Sequence, residues 1–132
     1  MNFDTFASHM ILDAMYMLLI LPTQFMSTPF YVHSDVVMRN KDSIKASISL
    51  HSQGELLLTS WGYKSELPRD NDELIRIANA AAAAIKAVNN RDYTVEPACG
   101  LYPAGGASDD FAKSSGVPFA VTVELPGGND RS

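Results

Sequence analysis

Residues 118–125, near the end of the chain, carry apolar side chains at both alternating sets of positions, in the sequence Pro-Phe-Ala-Val-Thr-Val-Glu-Leu. A half-buried strand alternates apolar and polar residues, whereas a strand that is covered on both faces does not. We therefore expect this segment to be a central strand in a sheet that is covered by helices. The turn residues Pro126, Gly127 and Gly128 end it.

Two earlier segments also favour strands. Residues 44–50 alternate apolar with polar side chains, which is the period of a half-buried strand, and His51 follows at the end of this segment. The short apolar run Leu56–Leu58 indicates a second buried strand or a turn. Together with residues 118–125, these segments supply the strands of the expected sheet.

A helix is predicted over residues 72–88, where apolar residues recur at helical spacing. Asp70 and Glu73, three residues apart, resemble a capping box at its start, and Asn89–Asn90 supplies the stop. The apolar positions are Leu74, Ile77, Ala81, Ile85 and Val88. The opposite face, which we expect to be solvated, carries Arg76, Asn79 and Lys86.

Residues 97–116 are rich in Gly, Ala and Ser and predict a long loop between the helix and the last strand. A loop of this length inside a compact domain is uncommon and usually functional. The order of strand, helix, loop and strand is typical of an α/β fold. We expect a mostly parallel or mixed sheet with flanking helices, in which the helix over 72–88 is the crossover.

Composition narrows the classes of function. The 132 residues include ten basic and fifteen acidic side chains, and this net charge of -5 gives no electrostatic basis for nucleic-acid binding. The single cysteine, Cys99, cannot form an internal disulfide. The apolar run Met10–Leu21 is interrupted by Asp13, is too short to span a bilayer and lacks a preceding basic region. We interpret it as a buried or partner-facing helix or a poor secretion signal, within a separate N-terminal segment 1–34.

Two titratable side chains fall at the predicted carboxyl ends of strands, where ligands bind in open α/β sheets. These are His51 and Glu124. Burial at a strand end would raise the pKa of a carboxylate and suit it to proton transfer near neutral pH. Each residue also has a structural interpretation, His51 as a hydrogen-bonded side chain and Glu124 as a helix cap or a lysine partner.

The glycine-rich loop holds further candidates. Asp109 and Asp110 follow Gly105–Gly106 closely, and either Ser108 or Asp109 is suited to cap a short helix through Phe111. Tyr102, in the middle of the loop, is either a packed aromatic or a mobile hydrogen-bond donor. Spacing alone does not separate these alternatives.

Three motifs, taken in order, carry a family resemblance. Residues 49–63 contain Ser-Leu-His-Ser, Leu-Leu-Leu and Trp-Gly-Tyr; residues 101–111 read Leu-Tyr-Pro-Ala-Gly-Gly-Ala-Ser-Asp-Asp-Phe; residues 121–125 read Val-Thr-Val-Glu-Leu. They resemble the zinc-ligand strand, the substrate-cap loop and the catalytic-glutamate strand of the pancreatic A/B-type zinc metallocarboxypeptidases. The resemblance extends from about Asp35 to Pro126. It implies that residues 35–132 are part of that family's catalytic domain, which has a hydrolase-like α/β/α fold.

The resemblance implies a role for each matching residue. His51 matches the third protein ligand of a catalytic zinc ion, and Glu124 matches the general base that acts on the zinc-bound water. Tyr102 matches the tyrosine that closes over the substrate, and Ser52 is counted with the substrate-binding residues. Asp109 matches the floor of the specificity pocket, where an acidic residue implies a B-like preference for C-terminal Lys or Arg. A buried carboxylate binds a cation strongly and rejects an aliphatic side chain.

Other parts of the family pattern are missing. A catalytic zinc site uses three protein ligands and leaves one position open, but the His-x-x-Glu motif that supplies the first two occurs nowhere in this sequence. Arg39–Asn40 reverses the Asn-Arg pair that holds the substrate carboxylate, and Gln53 replaces an aromatic residue. We therefore expect a truncated domain, a thin core, exposed sheet edges that favour association, and little or no peptidase activity from the chain alone.

The leading functional hypothesis is zinc-dependent hydrolysis of the C-terminal residue of peptides, carried out outside the cell by a B-like carboxypeptidase to which this chain contributes. Its expected partners are peptide or protein C-termini. One alternative is a non-catalytic module that binds basic peptide ends through Tyr102 and Asp109. Another is a truncated product without function, which would unfold with poor cooperativity.

Overall fold

The computed structural model describes residues 28–127, which form three α-helices and four β-strands. In chain order the elements are α1 (Thr28–Asn40), β1 (Ala46–Ser52), β2 (Leu56–Thr59), α2 (Asn71–Asn89), β3 (Thr94–Pro97), a short 3-10 helix (Ala98–Gly100), α3 (Ser108–Ser114) and β4 (Phe119–Leu125). The apolar run Met10–Leu21 lies outside the described residues. No described helix has the length and apolar character needed to cross a membrane.

The four strands form one mixed sheet in the order β1-β4-β2-β3. β4 lies parallel to β1 and antiparallel to β2, and β2 lies parallel to β3. The prediction that residues 118–125 form a central strand is confirmed, because β4 has a strand on each side. The predicted crossover is also confirmed, since α2 connects the parallel strands β2 and β3.

Helices cover both faces of the sheet, as the apolar pattern of β4 predicted. On one face, Leu74 and Ala78 of α2 form a buried cluster with Leu57, Phe119 and Val121. On the other face, four residues form a second, smaller cluster: Val37 of α1, Ala112 of α3, Val117 and Ala120. The residues of β4 therefore supply apolar side chains to two separate small cores.

The helix predicted over 72–88 is present as α2, but its start differs from the expectation. Asp70 occupies the N-cap position without a side-chain capping bond, and its carboxylate instead accepts a hydrogen bond from Lys113 Nζ at 2.5 Å. Asn90 ends the helix, as predicted, and it does so in the left-handed conformation. Val88 was wrongly assigned to the buried face, because it follows the last turn that packs on the sheet and is 88% exposed.

The predicted loop over 97–116 is only partly a loop. The 3-10 helix and α3 occupy its two ends, which leaves residues 101–107 as the irregular connection. The N-cap of α3 is Ala107, without a side-chain capping bond, so the expectation that Ser108 or Asp109 caps this helix was wrong. Asp109 and Asp110 instead lie inside the first turn and are buried.

Candidate functional site

His51 and Glu124 lie side by side at the carboxyl ends of the two parallel strands β1 and β4. The strand register makes them direct neighbours, and His51 Nδ1 lies 3.6 Å from Glu124 Oε1. That separation allows electrostatic attraction when the imidazole is protonated, but it is longer than a hydrogen bond. The sheet topology thus brings together two residues that are 73 positions apart in the sequence.

The two side chains differ in exposure. The imidazole of His51 is 55% exposed, whereas the carboxylate of Glu124 is 16% exposed. The ring is therefore open to a ligand from solvent, and the carboxylate lies beside it in a partly desolvated position. A ligand can therefore bind at the imidazole of His51. The neighbouring Glu124 carboxylate can then accept a proton from that ligand.

Asp109 is a buried acidic residue, and one of its carboxylate oxygens has no partner in the described part of the chain. The residue is 3% exposed, and its Oδ1 has no hydrogen-bond partner among residues 28–127. Burial raises the pKa of Asp109, and the charge of Asp110 raises it further; nearby backbone N–H groups and the charge of His51 act in the opposite direction. A buried carboxylate in this condition is stabilised by a cation.

Asp110 differs from its neighbour because its carboxylate is fully engaged. Both of its oxygens accept a hydrogen bond from the Gly62 N–H at 3.0 Å, and Oδ2 also accepts one from the Tyr63 N–H at 3.2 Å. A Cβ at position 62 would lie 3.4 Å from Asp110 Oδ2, which is an ordinary contact distance. Asp110 therefore holds the Trp61–Tyr63 turn against the first turn of α3.

The local pattern presented Asp109 and Asp110 as a pair of candidates, and the family resemblance assigned a role to Asp109 alone. Two further hydrogen bonds join the Trp61–Tyr63 turn to distant residues. The Ala104 N–H donates to the Gly62 carbonyl at 2.9 Å, and the Cys99 N–H donates to the Trp61 carbonyl at 3.2 Å. No local pattern signals these bonds.

Tyr102 and Ser52 do not join the His51–Glu124 pair through any described contact. Tyr102 lies on the irregular connection with its side chain 69% exposed, so the packed-aromatic interpretation does not hold. Ser52 is exposed at the end of β1, next to His51 and opposite Leu125 of β4. Ser52 thus borders the end of the sheet that carries the candidate site.

The described residues do not by themselves fit a catalytic zinc ion. Three protein ligands are required, and residues 28–127 contain no group of three His, Cys, Asp or Glu side chains placed to hold a metal ion. Glu55, four residues after His51, forms an ion pair with Arg91 at 2.5 Å. His33 packs against the Phe111 ring, with the two ring centroids 6.3 Å apart. Neither of these residues completes a ligand set with His51.

Known proteins resemble the chain in both sequence and structure. Bovine (Bos taurus) carboxypeptidase B is 34% identical over 93 residues, which are 70% of this chain and 22% of that protein. Rat (Rattus norvegicus) carboxypeptidase A2 is 37% identical over 89 residues, or 67% of this chain and 21% of the relative. The chain therefore spans about a quarter or less of the length of these curated relatives.

Solved structures extend the likeness to the fold. Bovine thrombin-activatable fibrinolysis inhibitor, in complex with tick carboxypeptidase inhibitor, matches with a TM-score of 0.68 and 30% identity over 74% of this chain and 33% of that chain. Carboxypeptidase A from Helicoverpa armigera matches with a TM-score of 0.70 and 28% identity over 76% of this chain and 25% of that chain. A family model described as zinc carboxypeptidase matches residues 27–131. The resemblance in the three motifs is thereby confirmed, and the chain belongs to the zinc carboxypeptidase family.

Proposed function

We propose that this chain carries the proton-transfer and specificity part of a carboxypeptidase that removes C-terminal Lys or Arg from peptides. The observation that carries the proposal is the placement of His51 and Glu124 as neighbours at the carboxyl end of a parallel strand pair, 3.6 Å apart. Family membership supports a peptidase reaction for this pair. Extracellular peptide or protein C-termini would be its substrates.

The zinc ion that this family uses would supply Lewis-acid activation of the scissile carbonyl and of water. Residues 28–127 offer His51 without two companion ligands, so they do not hold this ion alone. In the proposed function His51 is one ligand, and the others come from outside the described residues. Glu124 is partly buried beside the ring. In the proposed function it accepts a proton from the attacking water molecule and gives that proton to the amine that leaves.

Asp109 would select the substrate side chain. Its unpaired oxygen is buried. A lysine or arginine side chain that reached this oxygen would form a charge-assisted hydrogen bond that an aliphatic side chain cannot replace. Tyr102, exposed on the irregular connection, would close over the bound peptide end, and Ser52 would contact the substrate beside His51.

Binding and turnover should be measured separately on the full chain. We expect acetyl-Gly-Arg to bind and acetyl-Gly-Leu to bind at least about tenfold more weakly, since losing the partner of a buried charge costs well over the 1.4 kcal/mol that equals tenfold. Asp109→Asn should remove the difference between the two probes, while Asp92→Asn, at an exposed site, should preserve it. Equal affinity for both probes in the native chain would contradict the specificity assignment.

A non-catalytic function is the second candidate, because the unpaired oxygen of Asp109 requires no metal ion in order to bind a cation. In that case the arginine preference persists in the presence of a zinc chelator, and no hydrolysis follows when zinc is added. Hydrolysis that depends on added zinc and is lost in Glu124→Gln would support the peptidase instead.

A further inference from the structure

The connection between β1 and β2 contains a residue in an unfavourable backbone conformation. Glu55, which directly precedes β2, has a φ angle of 54°, in the left-handed region that a residue with a long side chain adopts only at an energetic cost. Among residues 28–127, one other non-glycine residue has a positive φ, Asn90, and the short polar side chain of asparagine tolerates this conformation. The conformation of Glu55 therefore requires contacts that hold it in place.

Contacts that hold Glu55 come from the segment that follows α2. The Glu55 carboxylate forms an ion pair with the Arg91 guanidinium at 2.5 Å, and the two side chains are 36% and 31% exposed. The Glu55 carbonyl also accepts a hydrogen bond from the Thr94 N–H at 3.1 Å. Because both charged groups are partly desolvated, their attraction is screened less than that of an exposed pair.

Arg91 is itself positioned by the end of α2. Asn90 ends the helix in the left-handed conformation, and the Arg91 N–H then donates to Asn89 Oδ1 at 3.1 Å. The chain therefore leaves the helix in a defined turn just before the guanidinium reaches Glu55. Arg91 thus connects the end of α2 to the β1–β2 connection.

The other side of the same connection lies against Glu124. The Gly54 N–H donates to the Leu125 carbonyl at 3.2 Å. A Cβ at position 54 would lie 3.4 Å from Glu124 Cβ and 3.2 Å from the Leu56 side chain, so the backbone leaves little room beside either side chain. Leu56 also pairs with Glu124 in the antiparallel register of β2 and β4. Residues 54–56 therefore pack beside the Glu124 side chain.

Gln53 extends this contact to the chain that leaves β4. A Cβ at position 127 would overlap the Gln53 amide oxygen, so the Gln53 side chain lies directly on the backbone of Gly127. The connection 53–55 therefore follows the end of β4 from Glu124 to Gly127.

We propose that Glu55 and Arg91 are positioning residues for Glu124. The strand register makes His51 and Glu124 neighbours along the backbone, but it leaves the Glu124 side chain free to choose among its rotamers. The ion pair holds the connection 53–55 in its conformation, the connection packs beside Glu124, and the carboxylate is thereby kept next to the His51 ring. This inference rests on the proposed function, in which Glu124 accepts a proton beside His51.

Nuclear magnetic resonance of the His51 ring measures this positioning without a metal ion or a substrate. In the full chain at one pH of about 8.5, at which ordinary imidazoles are neutral, His51→Gln identifies the ring signal among those of the three histidines. We expect Glu124→Gln to shift this signal in the native chain, because the carboxylate lies 3.6 Å from Nδ1 of the ring. In an Arg91→Gln background, Glu124→Gln should shift it by less than about half as much.

Two further variants separate positioning from general stability. Lys86→Gln breaks the exposed ion pair with Asp92 near the same end of α2, and it should leave the response to Glu124→Gln intact. Glu55→Gly also lacks the ion pair, but glycine adopts the left-handed conformation without strain, so adding it to Arg91→Gln should restore most of the response. Circular dichroism verifies that each variant is folded, and Glu55→Gln takes the place of Arg91→Gln if the latter does not fold.

The outcomes distinguish this inference from the proposed function. An Arg91→Gln variant that keeps the full response to Glu124→Gln would overturn the inference and leave the proposed function in place. A loss that Glu55→Gly does not reverse would also overturn it, because the ion pair would then act by a route other than the conformation of Glu55. A His51 signal that does not respond to Glu124→Gln in the native chain would contradict both, since the two side chains would not be neighbours in solution.

Discussion

The two faces of the sheet bury different kinds of side chain. Under α2, the buried cluster is entirely apolar and includes Leu57, Leu74 and Val121. Under α3, the protein buries Asp109 and Asp110 in the first turn of a seven-residue helix, beside only a small apolar cluster. Burial of apolar area stabilises a fold, whereas burial of charge is unfavourable unless the charge is paired. The comparison indicates that the α2 face maintains the fold and that the α3 face carries the candidate chemistry.

The largest predicted effect is on the α2 face. Leu74→Ala removes a fully buried side chain and leaves a cavity, so we expect a loss of about 3 kcal/mol in the free energy of unfolding, measured by urea denaturation. Val88→Ala, on the same helix but exposed, should change it by less than about 0.5 kcal/mol. If both substitutions changed the free energy of unfolding by the same amount, packing under α2 would not be what stabilises the fold.

The next effect tests whether Asp110 is structural. Asp110→Ala leaves the buried N–H groups of Gly62 and Tyr63 without their acceptor, and we expect a loss of about 2 kcal/mol. Asp110→Asn retains one carbonyl acceptor and should lose less. Urea denaturation provides the measurement, and an unchanged stability of the alanine variant would show that the Trp61–Tyr63 turn is held by other contacts.

Its neighbour should respond in the opposite direction. Asp109→Asn removes a buried, unpaired charge, and we expect a gain of about 1 kcal/mol in the free energy of unfolding at neutral pH. Burial raises the pKa of Asp109 above its ordinary 3.8, so the folded chain holds this proton more tightly than the unfolded chain does. The wild type therefore loses stability relative to the variant as the pH rises from about 3.8 through the raised pKa, and the difference is then constant.

Chemical denaturation of both proteins at several pH values between about 3.5 and 8 measures this difference. A variant that is less stable than the wild type at neutral pH would mean that Asp109 has a stabilising partner in solution.

An effect of similar size concerns the connection between the two faces. Lys113 of α3 donates to Asp70 at the start of α2 and to the Pro118 carbonyl at 2.8 Å. Lys113→Met keeps the aliphatic stem and removes these bonds, and we expect a loss of about 1 kcal/mol that high salt reduces. Lys86→Met, at an exposed ion pair with Asp92, should show no measurable change in urea denaturation. If both variants lost the same amount of stability, the bonds of Lys113 would contribute no more than an exposed ion pair.

The sequence by itself determined the strands and helices whose apolar residues recur at a short, regular spacing. The central strand β4, the helix α2 with its Asn90 stop, and the α/β class all follow from local periodicity, because the burial of a strand or helix face is recorded at intervals of two or three to four residues. The three motifs likewise identified the family and named His51, Glu124, Tyr102 and Asp109 as candidates.

Only the tertiary structure decided what those candidates touch. The Asp70 carboxylate accepts a hydrogen bond from Lys113 and does not cap its own helix. Asp110 holds a turn 47 or 48 residues away, and Asp109 beside it has an oxygen with no described partner. Val88 continues the apolar period of α2 but extends past the sheet. The physical reason is common to all four: hydrogen bonds and desolvation depend on the contacts between distant segments, which a local pattern of apolar and polar residues does not contain.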